Sequence, residues 1–315
     1  MTADKTPAPN RLRPPDPAPL LPQPFVVRFW LTAAVVAACF GRPLYLLVQL
    51  SLQNDLYSHV LLIPFISGYL VWIQRAVVPT ATAPDRRIAF GLLGAGLLLL
   101  GFYWTLRATG EELAPEDGLA LLIPSFLLFF AAICGWFIGR STMRALAFPL
   151  GFLVFMAPFP AAVTRALEMF FQHTSAAAAH LLFKLGSTPV FYHDLIFQLP
   201  GINLEVAPQC SGIRSSLALF ITSIVAGRLF LQTPWKRAVL AAAVVPLAFL
   251  RNGFRIFTIG ELCVHVSPDM INSPIHHHGG PVFFALSLVP FFLLLRLLYK
   301  SDHPSPGPGS VPSGG

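Results

Sequence analysis

The sequence predicts an all-α polytopic membrane protein with about eight transmembrane helices, and three observations support this prediction. Hydrophobic residues make up 55% of the 315 positions and charged residues only 11%, with a mean hydropathy of +0.67. A soluble domain needs more polar side chains than this to cover its surface. The apolar residues fall in runs of about 20, the length with which a helix crosses the hydrocarbon core. The basic residues form short clusters between these runs.

We expect one transmembrane domain over residues 25–300, with a tail at each end. Residues 1–24 are rich in proline and contain no apolar run, so we interpret them as a disordered tail and not as a signal peptide. Residues 301–315, rich in Ser, Pro and Gly, form the other tail. The fifth expected span is the shortest. The eight spans cover residues 26–50, 57–74, 88–106, 119–139, 143–157, 210–230, 238–257 and 281–298.

The charges of the connections predict the orientation of the spans. Residues 75–87, 140–144 and 228–237 are basic and belong inside, whereas residues 111–117 are acidic and belong outside. Both termini then lie in the cytoplasm, and the protein is placed in the plasma (inner) membrane. The net charge of +7 is spread over these clusters and forms no single patch, so we expect no nucleic-acid partner.

This orientation requires residues 158–209 to lie outside. Between residues 162 and 185 the polar side chains share an arc of about 160°, which predicts an amphipathic helix in the membrane interface. The run 190–206 alternates and breaks at Leu199-Pro200-Gly201, which predicts a short hairpin. An alternative, in which the amphipathic helix spans the membrane, stays open.

Cys210 is the first candidate for chemistry, since it begins the sixth span at the outer face. A helix N-terminus favours the thiolate form, and the small neighbours Ser211 and Gly212 allow a substrate backbone to approach. The competing interpretation is a disulfide with Cys263, also expected outside. The four cysteines include no CxxC pair, so a zinc ribbon is not expected.

Two arginines at the end of the seventh span are the second candidate. Arg255 lies one turn after Asn252, and Arg251 lies one turn deeper. An arginine within a membrane segment costs about 2.5 to 3.5 kcal/mol at the helix centre, so it points to function. A guanidinium group there could stabilise an oxyanion or a thiolate.

Three consecutive histidines, His276, His277 and His278, fall in the following outer loop. Adjacent residues point in different directions, so they suit a metal poorly, and we expect neither a metal nor a cofactor. A neutral imidazole near Cys210 would act as general base and then as general acid.

These motifs, taken in order, resemble the exosortase and archaeosortase family of membrane cysteine transpeptidases. The similarity covers most of the membrane region, and the Cys-Ser-Gly block is its most specific part. The matching stretches are Tyr57-Ser58-His59, residues 156–160, residues 186–190, residues 206–215 with Arg214, Asn252-Gly253-Phe254-Arg255-Ile256, and residues 276–280.

The resemblance implies roles for individual residues within a catalytic core at 156–284. Cys210 would be the nucleophile, Arg255 the stabiliser of the oxyanion or thiolate, and His276 the acid and base. His277 or His278 could replace His276, because the tandem histidines and glycines allow a small shift in register. The other matching polar or small residues would have supporting roles: Ser211, Gly212, Arg214, Asn252, Arg251, Tyr57 and His59.

The resemblance also implies a substrate, a secreted protein with a C-terminal sorting signal. That signal would consist of a short motif such as Pro-Glu-Pro, one transmembrane helix and a basic cluster. The acceptor molecule, and transfer as opposed to hydrolysis, stay open. The alternatives are a polytopic transporter or channel, and a structural subunit of an export or exopolysaccharide system.

Overall fold

The computed structural model describes most of the chain and divides it into two compact units, residues 1–160 and 161–315. The described residues are 23–75, 83–110, 112–207, 211–273 and 279–303. Each unit is helical, which confirms the predicted all-α fold. Among the described residues, six helices are long and apolar enough to cross a membrane, or up to eight if each of two bent helix pairs counts as one span.

Six α-helices lie in the described part of the first unit. Their bounds are α1 Gln23–Cys39, α2 Gly41–Gln53, α3 Ile63–Gln74, α4 Arg86–Ala108, α5 Pro115–Ala145 and α6 Ala147–Phe152. Short 3₁₀ turns cover Asp55–Leu62 and Leu153–Met156. Helices α4 and α5 pack along each other, and Ser125 Oγ donates a hydrogen bond of 2.9 Å to the carbonyl oxygen of Gly96.

Two of the predicted spans in this unit differ from the structure. Residues 26–50 do not form one helix, because α1 and α2 meet at an angle of 71°. Pro43 lies in the first turn of α2 and has no N–H with which to continue the hydrogen bonds of α1. Residues 143–157 form no separate span either, since α5 takes up their first residues. The remaining ten helical residues reach only about 15 Å.

The described part of the second unit has five α-helices and one small sheet. The helices are α7 Ala161–Leu185, α8 Ile213–Phe230, α9 Pro234–Ala242, α10 Val244–His265 and α11 Gly280–Asp302, and a 3₁₀ turn covers Pro268–Asn272. Strands β1 Phe191–His193, β2 Ile196–Leu199 and β3 Ile202–Glu205 form an antiparallel sheet in that order.

The sheet confirms the predicted hairpin and adds a strand to it. Leu199 pairs with Ile202 around Pro200-Gly201, and Gly201 has a φ of 84°. The second tight turn, at Asp194-Leu195, has positive φ at both residues, as a type I′ turn requires. No turn signal in the sequence marks Leu195, so β1 was not expected.

Helix α7 packs closely against α10 through small residues. A Cβ on Gly253 would lie 2.7 Å from the Cβ of Ala178, and one on Gly260 would lie 2.4 Å from the ring of Phe183. Membrane helices commonly approach each other through such small side chains. By itself α7 is not among the six apolar helices long enough to span. Together with the sheet, the two helices enclose a core of aromatic and aliphatic side chains that includes Phe183, Phe197, Val206 and Ile256.

The start of α9 is fastened to the end of α11 by a buried ion pair. Lys236 Nζ lies 2.7 Å from Asp302 Oδ1, and the two side chains are only 8% and 2% exposed. Asp302 also accepts hydrogen bonds from Thr233 Oγ1 and from the backbone N–H of Gln232. Lys236 is therefore held within the protein, although the sequence suggests a loop charge, and the ordered helix continues to Asp302.

Candidate functional site

The predicted nucleophile and histidines lie outside the described residues. Cys210 falls in the gap at 208–210, and the three histidines fall in the gap at 274–278. The chain is described up to Ala207 and again from Ser211, as are both arginines, and these residues define the surroundings of the site.

Gly212 directly precedes helix α8 as its N-cap residue, in a left-handed conformation with φ 74° and ψ 12°. Such a conformation favours glycine, because a Cβ would crowd the backbone. The carbonyl oxygen of Gly212 accepts hydrogen bonds from the N–H of Ser216 at 3.0 Å and from Ser216 Oγ at 2.7 Å. The helix thus starts three residues after Cys210, later than the predicted span, and its positive end is directed toward the chain that precedes it.

Arg251 reaches from α10 to this turn. Its Nη2 donates to the carbonyl oxygen of Gly212 at 3.2 Å and to Ser216 Oγ at 3.4 Å. The residue is only 8% exposed, and its Nη1 has no hydrogen-bond partner among the described residues. A buried guanidinium group is therefore fixed against the residue two positions after Cys210.

Asn252, the next residue of α10, also packs against Gly212. It is 2% exposed, and a Cβ on Gly212 would lie 3.2 Å from its side-chain oxygen. The sequence predicted that Gly212, Arg251 and Asn252 belong to one site, and the structure brings these three residues together.

Arg255 lines a pocket of about 120 Å³ beside β3. Asn252 and Glu205 contribute polar groups to the same pocket, and its other walls are mainly aliphatic: Leu204, Val206, Ala207, Ile256, Ile259 and Ile271. Since a water molecule occupies about 30 Å³, the space suits a small aliphatic side chain or a proline ring. The pocket therefore combines the charged residues Arg255 and Glu205 with an apolar wall at the end of the strand that leads to Cys210.

The position of Arg255 along its helix differs from the expectation. The sequence predicts that the span ends two residues later, at 257, whereas α10 continues to His265. Because the helix rises 1.5 Å per residue, Arg255 lies about 15 Å from its end. Residues of the sheet and of this part of α10 pack in one hydrophobic core, and Leu204, Val206, Ile256 and Ile259 of that core line the pocket.

Gln172 of α7 supports the strand that approaches the site, and the sequence did not identify it. Its side-chain amide donates to the carbonyl oxygen of Val206, and the residue is 8% exposed. The sequence placed Gln172 on the polar arc of an interfacial helix, but the structure buries it beside Phe171 and Ser175. The signal that could have revealed this contact is the row of small residues Ser175, Ala176 and Ala179, which lie on the same face of the helix as Gln172.

The remaining predicted residues have different surroundings. Ser211 is 1% exposed, and its hydroxyl has no hydrogen-bond partner among the described residues. Arg214 is exposed on the first turn of α8. Tyr57 and His59 belong to the first unit, where Tyr57 is buried and His59 Nδ1 lies 3.0 Å from the carbonyl oxygen of Leu56.

Within the described part of the chain, no group of three or more His, Cys, Asp or Glu side chains could hold a metal ion. Cys263, the proposed disulfide partner of Cys210, is a buried free cysteine on α10.

A family model described as transmembrane exosortase matches residues 49–293. This stretch contains both arginines, Cys210 and the three histidines. No curated protein and no solved structure matches the chain.

Proposed function

The chain belongs to the transmembrane exosortase family, and from this premise we propose that it is a membrane cysteine transpeptidase with Cys210 as its nucleophile. Family membership supports a membrane transpeptidase or sorting role in general. The observation that supports Cys210 is the bond from Arg251 to Gly212, because it fixes a buried cation beside the start of α8. A cation and a helix N-terminus both lower the free energy of a thiolate.

In the proposed reaction, the Cys210 thiolate attacks the scissile carbonyl carbon and forms a C–S bond. Arg255 donates hydrogen bonds to the oxyanion of the tetrahedral intermediate. The C–N bond then breaks, and a protonated histidine, His276 or else His277 or His278, gives its proton to the departing amine. The thioester passes its acyl group to an amine or hydroxyl acceptor, or to water.

The substrate is a secreted protein that carries a C-terminal motif such as Pro-Glu-Pro, a transmembrane helix and a basic cluster. Cleavage takes place at the outer face of the plasma (inner) membrane, with both termini of the enzyme in the cytoplasm. Supporting roles fall to Ser211, Gly212, Arg214, Asn252, Arg251, Tyr57 and His59.

The edge of β3 that does not pair with β2 is a place where the substrate backbone could bind. Among the described residues no strand pairs with this edge. Val206 N–H bonds to the carbonyl oxygen of Leu195, and hydrogen-bonded pairs alternate along an antiparallel ladder. The N–H groups of Asn203 and Glu205 therefore point away from β2. An extended substrate segment would pair with them and place a small side chain in the pocket beside Arg255.

The test is the processing of a secreted reporter fused to a candidate sorting signal from the same genome. We expect Cys210→Ala to leave the reporter uncleaved, whereas Cys39→Ala, at an exposed free cysteine of α1, should process it normally. Both variants should elute as folded protein after extraction in detergent. Normal processing by Cys210→Ala would contradict the proposed function and favour the transporter or structural alternatives.

A further inference from the structure

Four arginines of the first unit line one open cleft of about 560 Å³. Arg86 and Arg87 begin α4, and Arg140 and Arg144 lie one turn apart near the end of α5. The cleft is remote in sequence from every residue assigned to catalysis, and nothing in the proposed reaction uses it.

A break in α5 accompanies this arrangement. Gly139 has φ 73° and ψ 176°, so the helix changes direction just before Arg140. Such a backbone conformation is open to glycine and strained for other residues. The start of α4 is held beside α5 by a hydrogen bond of 3.2 Å from the N–H of Asp85 to the carbonyl oxygen of Gly135.

The cleft has an uncompensated positive charge. Among the described residues that line it, Asp85 is the one acidic residue, and the Asp85 carboxylate caps α4 by accepting the N–H of Ile88 at 3.1 Å. No carboxylate among the described residues lies within ion-pair distance of the four guanidinium groups. Residues 76–82 contain no Asp or Glu. The first N–H groups of α4 also lack helical partners. An anion with several oxygen atoms would satisfy these donors.

The cleft lies where α4 begins and α5 ends. Both of its helices are candidate spans. The guanidinium group of Arg86 lies 5.5 Å from the ring centre of Trp136, which is 38% exposed. Tryptophan and arginine side chains commonly sit together at the level of lipid headgroups.

An apolar groove of about 420 Å³ begins next to the cleft. Met143 lines the groove, and the next residue, Arg144, lines the cleft. Leu92, Leu128, Ala147 and Gly151 continue the groove along α4, α5 and α6. A cationic cleft joined to an apolar groove matches a molecule with a phosphate at one end and an alkyl chain at the other.

We propose that the cleft and the groove together bind one anionic phospholipid. The four arginines hold its phosphate, since guanidinium groups bind phosphate oxygens through paired hydrogen bonds. One acyl chain lies along the groove at Met143 and Gly151. The groove distinguishes this ligand from free phosphate, which has no apolar part.

The test is native mass spectrometry of the full-length protein in detergent, titrated with phosphatidylglycerol or with phosphatidylcholine. We expect the wild type to bind phosphatidylglycerol preferentially. The double variant Arg140→Gln/Arg144→Gln should bind it roughly 30-fold more weakly, at about fivefold per arginine. The matched control is Arg42→Gln/Arg107→Gln, which removes the same charge from exposed positions of this unit outside the cleft. The control should bind like the wild type.

Two more variants separate a lipid site from basic residues that only set the orientation of the spans. Arg140→Lys/Arg144→Lys keeps the charge and the orientation but loses the paired hydrogen bonds, so we expect severalfold weaker binding. Gly151→Leu should weaken binding by filling the groove, because a Cβ at Gly151 meets no other atom within 4 Å. Equal affinity for the two lipids, unchanged binding by the glutamine variant, or equal binding of inorganic phosphate alone would each overturn the proposal.

Discussion

Arg251 and Gly212 are 39 positions apart in the chain and are joined by a hydrogen bond of 3.2 Å from Nη2 to the carbonyl oxygen. The same guanidinium group also reaches Ser216 Oγ. Helix α10 therefore holds the first turn of α8 through one arginine, three residues beyond Cys210. Arg251 acts on the position of this turn, whereas Arg255 lines the pocket in which we place a small side chain of the substrate.

Replacing Arg251 should slow processing through the placement and ionisation of Cys210. A hydrogen bond to a charged group contributes about 1.5 to 3 kcal/mol, so we expect Arg251→Gln to process the reporter about 10- to 100-fold more slowly. Arg251→Lys should recover part of the rate, because it restores the charge without the fork of donors. In Arg251→Gln, the pH at which alkylation of Cys210 reaches half of its maximal rate should be higher than in the wild type, because the thiolate has lost a neighbouring cation. Unchanged alkylation with slower processing would limit Arg251 to a structural role.

Gly212→Ala should disturb the same contact from the other side. The left-handed conformation costs a non-glycine residue about 1 to 2 kcal/mol, and the new Cβ would also lie 3.0 Å from Arg251 Nη2. Gly110 is a matched control, since its φ is 81° and no atom lies within 4 Å of its Cβ position. We expect the strained backbone to lower the stability of both variants by a similar amount, but only Gly212→Ala to lose processing. Equal processing by both variants would show that the contact with Arg251 is dispensable.

Gly253→Ala should push α7 and α10 apart beside Asn252 and Arg255. The added methyl group would lie 2.7 Å from Ala178 Cβ and 3.0 Å from the carbonyl oxygen of Ser175. Overpacking of this kind costs about 1 to 3 kcal/mol, so the Tm in detergent should fall. The comparison is Gly68→Ala in α3, where no atom lies within 4 Å of the new Cβ and the Tm should hold or rise. A Tm for Gly253→Ala equal to that of the wild type would refute the close packing.

Glu205→Pro tests whether the edge of β3 binds substrate backbone. Proline removes an N–H that points away from β2, so the sheet itself should tolerate it. We expect processing to fall severalfold in Glu205→Pro and to persist in Glu205→Ala, which keeps the N–H. A photo-crosslinking amino acid at Asn203 should capture the reporter in a Cys210→Ala background, whereas one at Phe191 on the opposite edge of the sheet should not. Capture at both edges or at neither would argue against this route.

Lys236→Met should lower the Tm by several degrees, because it leaves the buried Asp302 carboxylate without its cation. The control is Lys184→Met, which removes the same charge from an exposed position at the end of α7. A similar Tm for the two variants would mean that the ion pair adds nothing to stability.

The sequence predicted those features that depend on neighbouring residues in the chain. Apolar runs and their lengths identified most of the helices that could span a membrane, and Leu199-Pro200-Gly201 identified a hairpin, because turn geometry is local. The motifs around Cys210 and Asn252 identified the family that the match over residues 49–293 supports. The break between α1 and α2 and the continuation of α10 to His265 were missed, because hydropathy reports which residues can lie in lipid and not where a helix ends.

Only the tertiary structure decided which side chains meet. Gln172 and Lys236 are residue types that usually lie at the surface, yet both are buried here. Val206 accepts a hydrogen bond from Gln172, and Asp302 forms an ion pair with Lys236, and both partners are far away in the chain. Likewise, spacing alone does not distinguish the two arginines one turn apart on α10, and only the family resemblance favoured Arg255. Arg251 contacts Gly212 and Arg255 lines the pocket because of the packing of α7, α8 and α10, in which small residues such as Gly253 allow backbones to approach. Such contacts join residues tens of positions apart, and no local pattern of residues encodes the packing that produces them.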